Sequence, residues 1–205
     1  MQLLSRDFYQ NTNPFFVGEQ LIGKIIETSF DQKVCTARIV ELEIYKAPED
    51  RGSHAYQNKL TDRTKIIFEK GGLAYVYLCY GIHHMFNVVS GPEGVAHAIL
   101  IRAVEPLQGI HTMKSRRGIE KEVQLTNGPG KLCQALGIKT SFDGETLFER
   151  RSKIRLLDDG FKYIPDDLYK GPRVGIAYAK EDANLPYRYY LKQNSFVSRP
   201  LIVKY

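Results

Sequence analysis

The stretch Ala37 to Tyr45 reads ARIVELEIY and places Glu41, Glu43 and Tyr45 at every second position. Side chains alternate across a strand, so these three share one face, while Val40, Leu42 and Ile44 share the other. A strand face carrying such groups either meets solvent or lines a site. The sequel, KAPEDRGSHAY, brings His54 just past an acidic, glycine-bearing loop, close enough along the chain to fold back toward Glu43. A carboxylate beside a group that fixes a water, in a site that excludes bulk solvent, is equipped for general-base hydrolysis.

A second segment, YVYLCYGIHHMFN from Tyr75 to Asn87, puts Tyr75 and Tyr77 on one strand face and Tyr80 beside Gly81, where the chain must turn. An aromatic side chain at a hairpin tip is well placed to push between base pairs. The alternative is an ordinary packed hairpin. His83 and His84 are adjacent, so on a strand they point to opposite faces. With no HxxxH or CxxC partner they predict no metal site.

The elements that must position these residues follow from local signals. Asn13-Pro14 is an N-cap and first helical position for a helix running toward Gln20. Ile22 to Ser29 and Val34 to Tyr45 read as hairpin partners. Pro48 to Asn58 is a polar loop, and Thr61 to Lys70 a short helix stopped by Gly71-Gly72. Leu73 to Tyr80, Met85 to Ser90 and Val95 to Val104 read as strands. Gln108 to Gly118 and Pro129 to Leu136 read as helices. Ile154 to Leu157 and Val174 to Tyr178 read as further strands. No boundary divides the chain, so one domain over residues 1–205 is expected. The expected class is α+β, with a curved, mainly antiparallel, partly open barrel-like sheet flanked by helices.

Composition bounds the setting. The chain of 205 residues is long enough to bury a core without a disulfide or metal. Its three cysteines are scattered, consistent with reduced thiols. No apolar run of membrane length and no signal peptide are apparent, so the expectation is a cytoplasmic protein, nucleoid-associated in a bacterium, with no membrane contact. A net charge of +6 favours a polyanionic partner such as nucleic acid. Thirteen tyrosines with no tryptophan supply rings that can stack on bases, though most such rings serve packing.

The segments Arg38 to Tyr45, Pro48-Glu49-Asp50 with His54, Ala74 to Asn87, and Leu100 to Pro106 together resemble the alkyladenine, or methylpurine, DNA glycosylase family. Asn127 to Leu136, Pro172 to Gly175 and Ser195 to Ser198 extend the resemblance along nearly the whole chain. The resemblance implies a monofunctional DNA glycosylase of base excision repair, acting on double-stranded DNA that contains damaged purines. The substrates would be 3-methyladenine and other alkylated purines, with hypoxanthine and etheno-adenine as further candidates. It implies that Glu43 is the general base for the attacking water and that Arg102 lies near that water and a phosphate. Tyr45, His54 and Tyr77 would form the walls around a flipped base, and Asn87 would crowd purines carrying a 2-amino group. Tyr80 would be the wedge that fills the vacated stack. The physical logic agrees: flipping a base costs a few kcal/mol, which stacking and a wedge offset. A base alkylated on a ring nitrogen is cationic, so an aromatic cage favours it. No cofactor and no metal are expected, and a monomer is the simplest picture.

Arg102, Lys114, Arg116, Arg117 and Lys131 are candidates for phosphate contact, beside Gly128 to Gly130 at a helix start. The alternative for each is a solvated surface charge, and for Lys114 to Arg117 the two readings are about even. Ile44, Thr64, Lys70-Gly71-Gly72 and His97 depart from the family pattern, and Ile44 and His97 bear on pocket shape or supporting packing. Three competing readings stand beside the glycosylase: a magnesium-dependent nuclease using Glu41, Glu43 and Asp50, a non-catalytic nucleic-acid-binding module, and a bifunctional enzyme with a lysine nucleophile. The resemblance supplies a carboxylate, not a lysine, at the reacting position.

Overall fold

Asn13 caps the first helix as its sequence dictates: in the computed structural model, which describes residues 1–198, its side-chain oxygen accepts from the amides of Phe15 and Phe16 at 3.0 and 3.4 Å. In chain order the regular elements are β1 (Gln2–Leu3), α1 (Pro14–Leu21), β2 (Ile25–Phe30), β3 (Lys33–Lys46), β4 (Ala74–Cys79), β5 (His83–Ser90), β6 (His97–Gln108), α2 (Ile110–Arg117), α3 (Pro129–Leu136), β7 (Ile154–Asp158), β8 (Leu168–Gly171) and β9 (Arg188–Leu191). The strands form one nine-stranded sheet in the order β1-β7-β2-β3-β6-β5-β4, with β8 and β9 branching from β3. Every pairing is antiparallel and the sheet is open, so the α+β expectation holds.

β3 is the organising strand. Its first half, up to Arg38, pairs with β2, whereas Glu41 to Glu43 pair with β9. On its other edge it runs along β6, with register shifts around Glu41. Glu41 is opposite Ala103 and Leu42 is opposite Ile101, so Arg102 is the extra residue of a bulge. A bulge re-aims one side chain, and here it turns Arg102 onto the glutamate face of β3.

Both faces of this central region are covered. Ile39, Leu42, Ile44, Phe86, Ile99 and Ile101 belong to the larger core, which includes residues of α1 and α3. Each such apolar side chain contributes about 1.5–3 kcal/mol on burial. A smaller cluster of Ala47, Ala55, Ile67, Tyr75, Val89, Ala96 and Ala98 underlies the Pro48–Phe68 segment. The alternation of β3 therefore does not separate core from solvent: Glu41 and Glu43 are fully buried.

Several local expectations need correction. Val174 to Tyr178 is not a strand: Gly175 takes φ 77° and a 3-10 helix begins at Ala177. Thr61 to Lys70 yields only a 3-10 turn, Lys65–Phe68, because Thr61 and Thr64 hydroxyls bond nearby backbone and compete with helical pairing. Gly71 does not end a helix by capping. It donates to Gly91 O, and a Cβ there would lie 2.5 Å from the Tyr9 carbonyl oxygen. The strand expected at Val95 to Val104 runs instead from His97 to Gln108, and the following helix starts at Ile110. Strands β1, β8 and β9 have no counterpart in the sequence reading.

Candidate active site

The glutamate face of β3 opens into a cavity of about 290 Å³, whose walls include Glu43, Tyr45, His54, Tyr77, Asn87 and Arg102. All six were singled out from the sequence, and the fold brings them together from β3, β4, β5, β6 and the loop after β3.

Glu43 is held from three sides. Its Oε1 accepts from the Val174 amide at 2.7 Å and lies 3.3 Å from Arg102 Nη1. Its Oε2 accepts from the Tyr45 hydroxyl at 2.7 Å. Every neighbour is a donor, so Glu43 serves throughout as an acceptor. Burial and the Glu43 charge push the Tyr45 phenol well above its ordinary range, which keeps it a donor.

The support behind Glu43 is also ionic. Arg102 Nε donates to Glu41 Oε1 at 2.9 Å, and Arg188 Nε donates to the same oxygen at 2.7 Å. The Ser198 amide donates to Glu41 Oε2 at 2.6 Å. Burial works against the Arg102 charge, but Glu43 and Glu41 more than offset it and raise its pKa. Removing one member of such a buried network costs about 3–5 kcal/mol, because it strands a charge. The resemblance implied a place for Arg102 near the attacking water and a phosphate. In the structure it is almost wholly buried and paired to two carboxylates.

Asp50 and Arg173 form a second buried pair, with contacts of 2.5 and 2.7 Å. Arg173 also donates to Ile44 O, and its guanidinium carbon lies 4.6 Å from the centre of the Tyr45 ring. Asp50 also accepts from the Gly52 amide at 2.8 Å. The three carboxylates of the nuclease reading are thus each engaged by cations and donors. Among the described residues no three His, Cys, Asp or Glu side chains converge as a metal site.

The aromatic wall comes from β4 and the loop. The His54 and Tyr77 rings meet edge-on, with centroids 4.8 Å apart, and the Tyr75 and Tyr77 centroids are 5.2 Å apart. His54 Nδ1 lies 2.9 Å from the Tyr75 hydroxyl. Burial, and then the nearby Arg63, lower the His54 pKa to about 4, so the imidazole is neutral at pH 7. Asn87 Nδ2 donates to Tyr75 O at 3.1 Å.

Tyr80 sits at the tip between β4 and β5, beside the cavity, and is 91 % exposed with φ 52°. A bulky residue in the left-handed region costs about 1–3 kcal/mol, and strain of this kind clusters at functional sites. Leu78 and Ile82 are also exposed on this hairpin, giving it an apolar tip.

The basic candidates differ in placement. Lys131 and Arg117 line a groove of about 540 Å³ that shares Arg102, Pro129 and Val174 with the cavity. The exposed Lys131 Nζ donates to Asn127 at 2.8 Å, and Arg117 donates to Gln134. The start of α3 has no side-chain cap, so the amides that follow Pro129, at Gly130 and Lys131, are available to an anion. Arg116 is half-buried, donates to Ala135 O and lies over the Phe30 ring. Lys114 pairs with Glu120 and Glu122. Ile44 packs in the core near Gly18, and His97 is buried with Nδ1 unpartnered; neither lines the cavity.

The sequence reading gave no role to Arg63, Arg173, Val174 or Arg188. Tyr75 was visible as the face-mate of Tyr77, and Glu41 as that of Glu43. A backbone amide such as that of Val174 leaves no signal in residue type.

Comparison with known proteins places this geometry in context. Residues 7–195 match the family model described as Methylpurine-DNA glycosylase (MPG). A protein of Natranaerobius thermophilus named "Putative 3-methyladenine DNA glycosylase" is 40 % identical over 95 % of this chain and 98 % of its own length. Proteins of the same name from Alkaliphilus oremlandii and Bacillus cytotoxicus are 40 % and 38 % identical over 96 % and 91 % of this chain, and 98 % of their own lengths.

Proposed function

Because this chain belongs to the methylpurine-DNA glycosylase family, we propose that it flips an alkylated purine out of duplex DNA into the cavity and hydrolyses its N-glycosidic bond with a water activated by Glu43. The observation that carries this reading is a buried carboxylate fixed by the Val174 amide, the Tyr45 hydroxyl and Arg102, on the wall of a cavity whose other wall is aromatic.

In this reading Tyr80 fills the gap left in the stack, while Tyr45, His54 and Tyr77 surround the displaced base. Stacking on such rings is worth about 1–3 kcal/mol per base. The base departs with the electrons of the broken C1′–N bond, and positive charge develops on the sugar. Glu43 stabilises that charge and accepts a proton from the water whose oxygen bonds to C1′. Tyr45 and Val174 hold the carboxylate, and Arg102 orients it from behind. Lys131, Arg117 and the open start of α3 hold phosphates alongside; Arg116, as placed here, contributes more to packing than to that contact. The neutral His54 adds no charge to the pocket.

The test is base release from a labelled duplex carrying one alkylated purine, with EDTA present. The reading predicts free modified base, a strand that stays intact until alkali is added, and no adduct trapped by borohydride. Strand cleavage without free base, or a trapped adduct, would overturn it.

A further inference from the structure

The cavity already contains a cation. The guanidinium carbon of Arg63 lies 4.5 Å from the centre of the Tyr77 ring, and its Nη2 lies 3.4 Å from His54 Nε2. Arg63 comes from the loop between β3 and β4, where the buried Thr64 pins the turn through bonds to Lys59 O and Thr61. The residue as a whole is exposed, but its head group also bonds the Tyr75 side chain and is held against the pocket wall. Among the described residues its partners are the Tyr77 ring, His54 and the Tyr75 side chain, and no ion pair to a carboxylate is formed.

We propose that Arg63 is a specificity-determining residue: its guanidinium covers the Tyr77 face on which a base would stack, and biases the pocket toward neutral purine lesions over cationic ones. The inference rests on the reading of the cavity as a base pocket. A neutral base can slide against the flat guanidinium and use it as a further stacking plane, as bases do on arginine elsewhere. A ring-alkylated cation gains less: it shares the Tyr77 face with a like charge, which reduces but does not abolish its attraction to the aromatic wall. The low affinity of His54 for a proton fits this arrangement, since Arg63 is one of its causes.

The test is equilibrium binding in a Glu43→Gln background, so that no base is released. Three duplexes of one sequence carry 7-methylguanine (cationic), hypoxanthine (neutral) or an undamaged purine. Arg63→Gln is expected to shift the preference toward 7-methylguanine over hypoxanthine by about fivefold, equivalent to about 1 kcal/mol. Arg63→Lys keeps the charge but loses the flat stacking plane, so its ratio is expected to fall between that of the parent and that of Arg63→Gln. An unchanged ratio in Arg63→Gln, with both lesions still preferred over undamaged DNA, overturns this inference and leaves the base pocket standing. Equal weakening of all three duplexes also overturns it, by making Arg63 a phosphate contact. Failure of the Arg63-intact protein to distinguish either lesion from undamaged DNA overturns the base-pocket reading, and this inference with it.

Discussion

Asp50→Ala removes one half of a buried ion pair and leaves the other half in place. Arg173 and Asp50 have side-chain exposures of 0 % and 2 %, so water cannot replace the lost partner. Stranding a buried charge costs about 3–5 kcal/mol. For a chain of this length, each kcal/mol lowers Tm by about 2–4 °C, so the expected fall is roughly 6–20 °C. Adding Arg173→Met removes the stranded charge, and the double variant is expected to recover most of the loss. Function behaves differently. Arg173 stacks near Tyr45 and directly precedes the Val174 amide that holds Glu43. The double variant is therefore expected to regain stability while base release stays slow. Thermal unfolding followed by circular dichroism, with single-turnover release on the same samples, reads both effects. A fall in Tm of less than about 3 °C for Asp50→Ala, or a double variant no more stable than the single one, would refute the reasoning.

Three further outcomes are expected. Tyr80→Gly relieves a positive φ and loses no buried surface, so its Tm should stay within a few degrees of the parent; lesion binding should weaken by the stacking energy, about 1–3 kcal/mol, in a titration with damaged duplex. His54 has its folded pKa lowered from 6.5 to about 4, so the unfolded chain takes up this proton first and stability falls as pH drops through that window. The loss reaches up to about 3 kcal/mol below pH 4, and His54→Gln should lack that component in acid-unfolding curves. Lys131→Ala should weaken binding to damaged and undamaged duplex alike and reduce the salt dependence by about one unit of slope, whereas Arg116→Ala should lower Tm instead.

The local chemistry of the site was legible in the sequence because it lies on strands with period-two patterning. Glu41, Glu43 and Tyr45 share a face, as do Tyr75 and Tyr77, and the Asn13-Pro14 helix start and the tip at Tyr80-Gly81 are where local signals put them. The class of the fold followed from the same pattern. What was not legible depends on long-range partners. Alternation alone left a solvated face open for β3, but Arg102, Val174, Arg188 and Ser198, all far along the chain, close over its glutamates. The bulge that turns Arg102 toward Glu43 depends on how β3 and β6, far apart in the chain, pair with each other. The segment at Val174 reads as a strand from its side chains, yet its amide is taken by a carboxylate distant in sequence.

The central claim is that Glu43 activates the water. The most direct measurement is single-turnover base release from a duplex carrying one alkylated purine, comparing the parent with Glu43→Gln at saturating protein, with lesion binding measured alongside. The account predicts a fall in release rate of at least about 100-fold, with lesion affinity changed little. Release by Glu43→Gln within a few fold of the parent would contradict it.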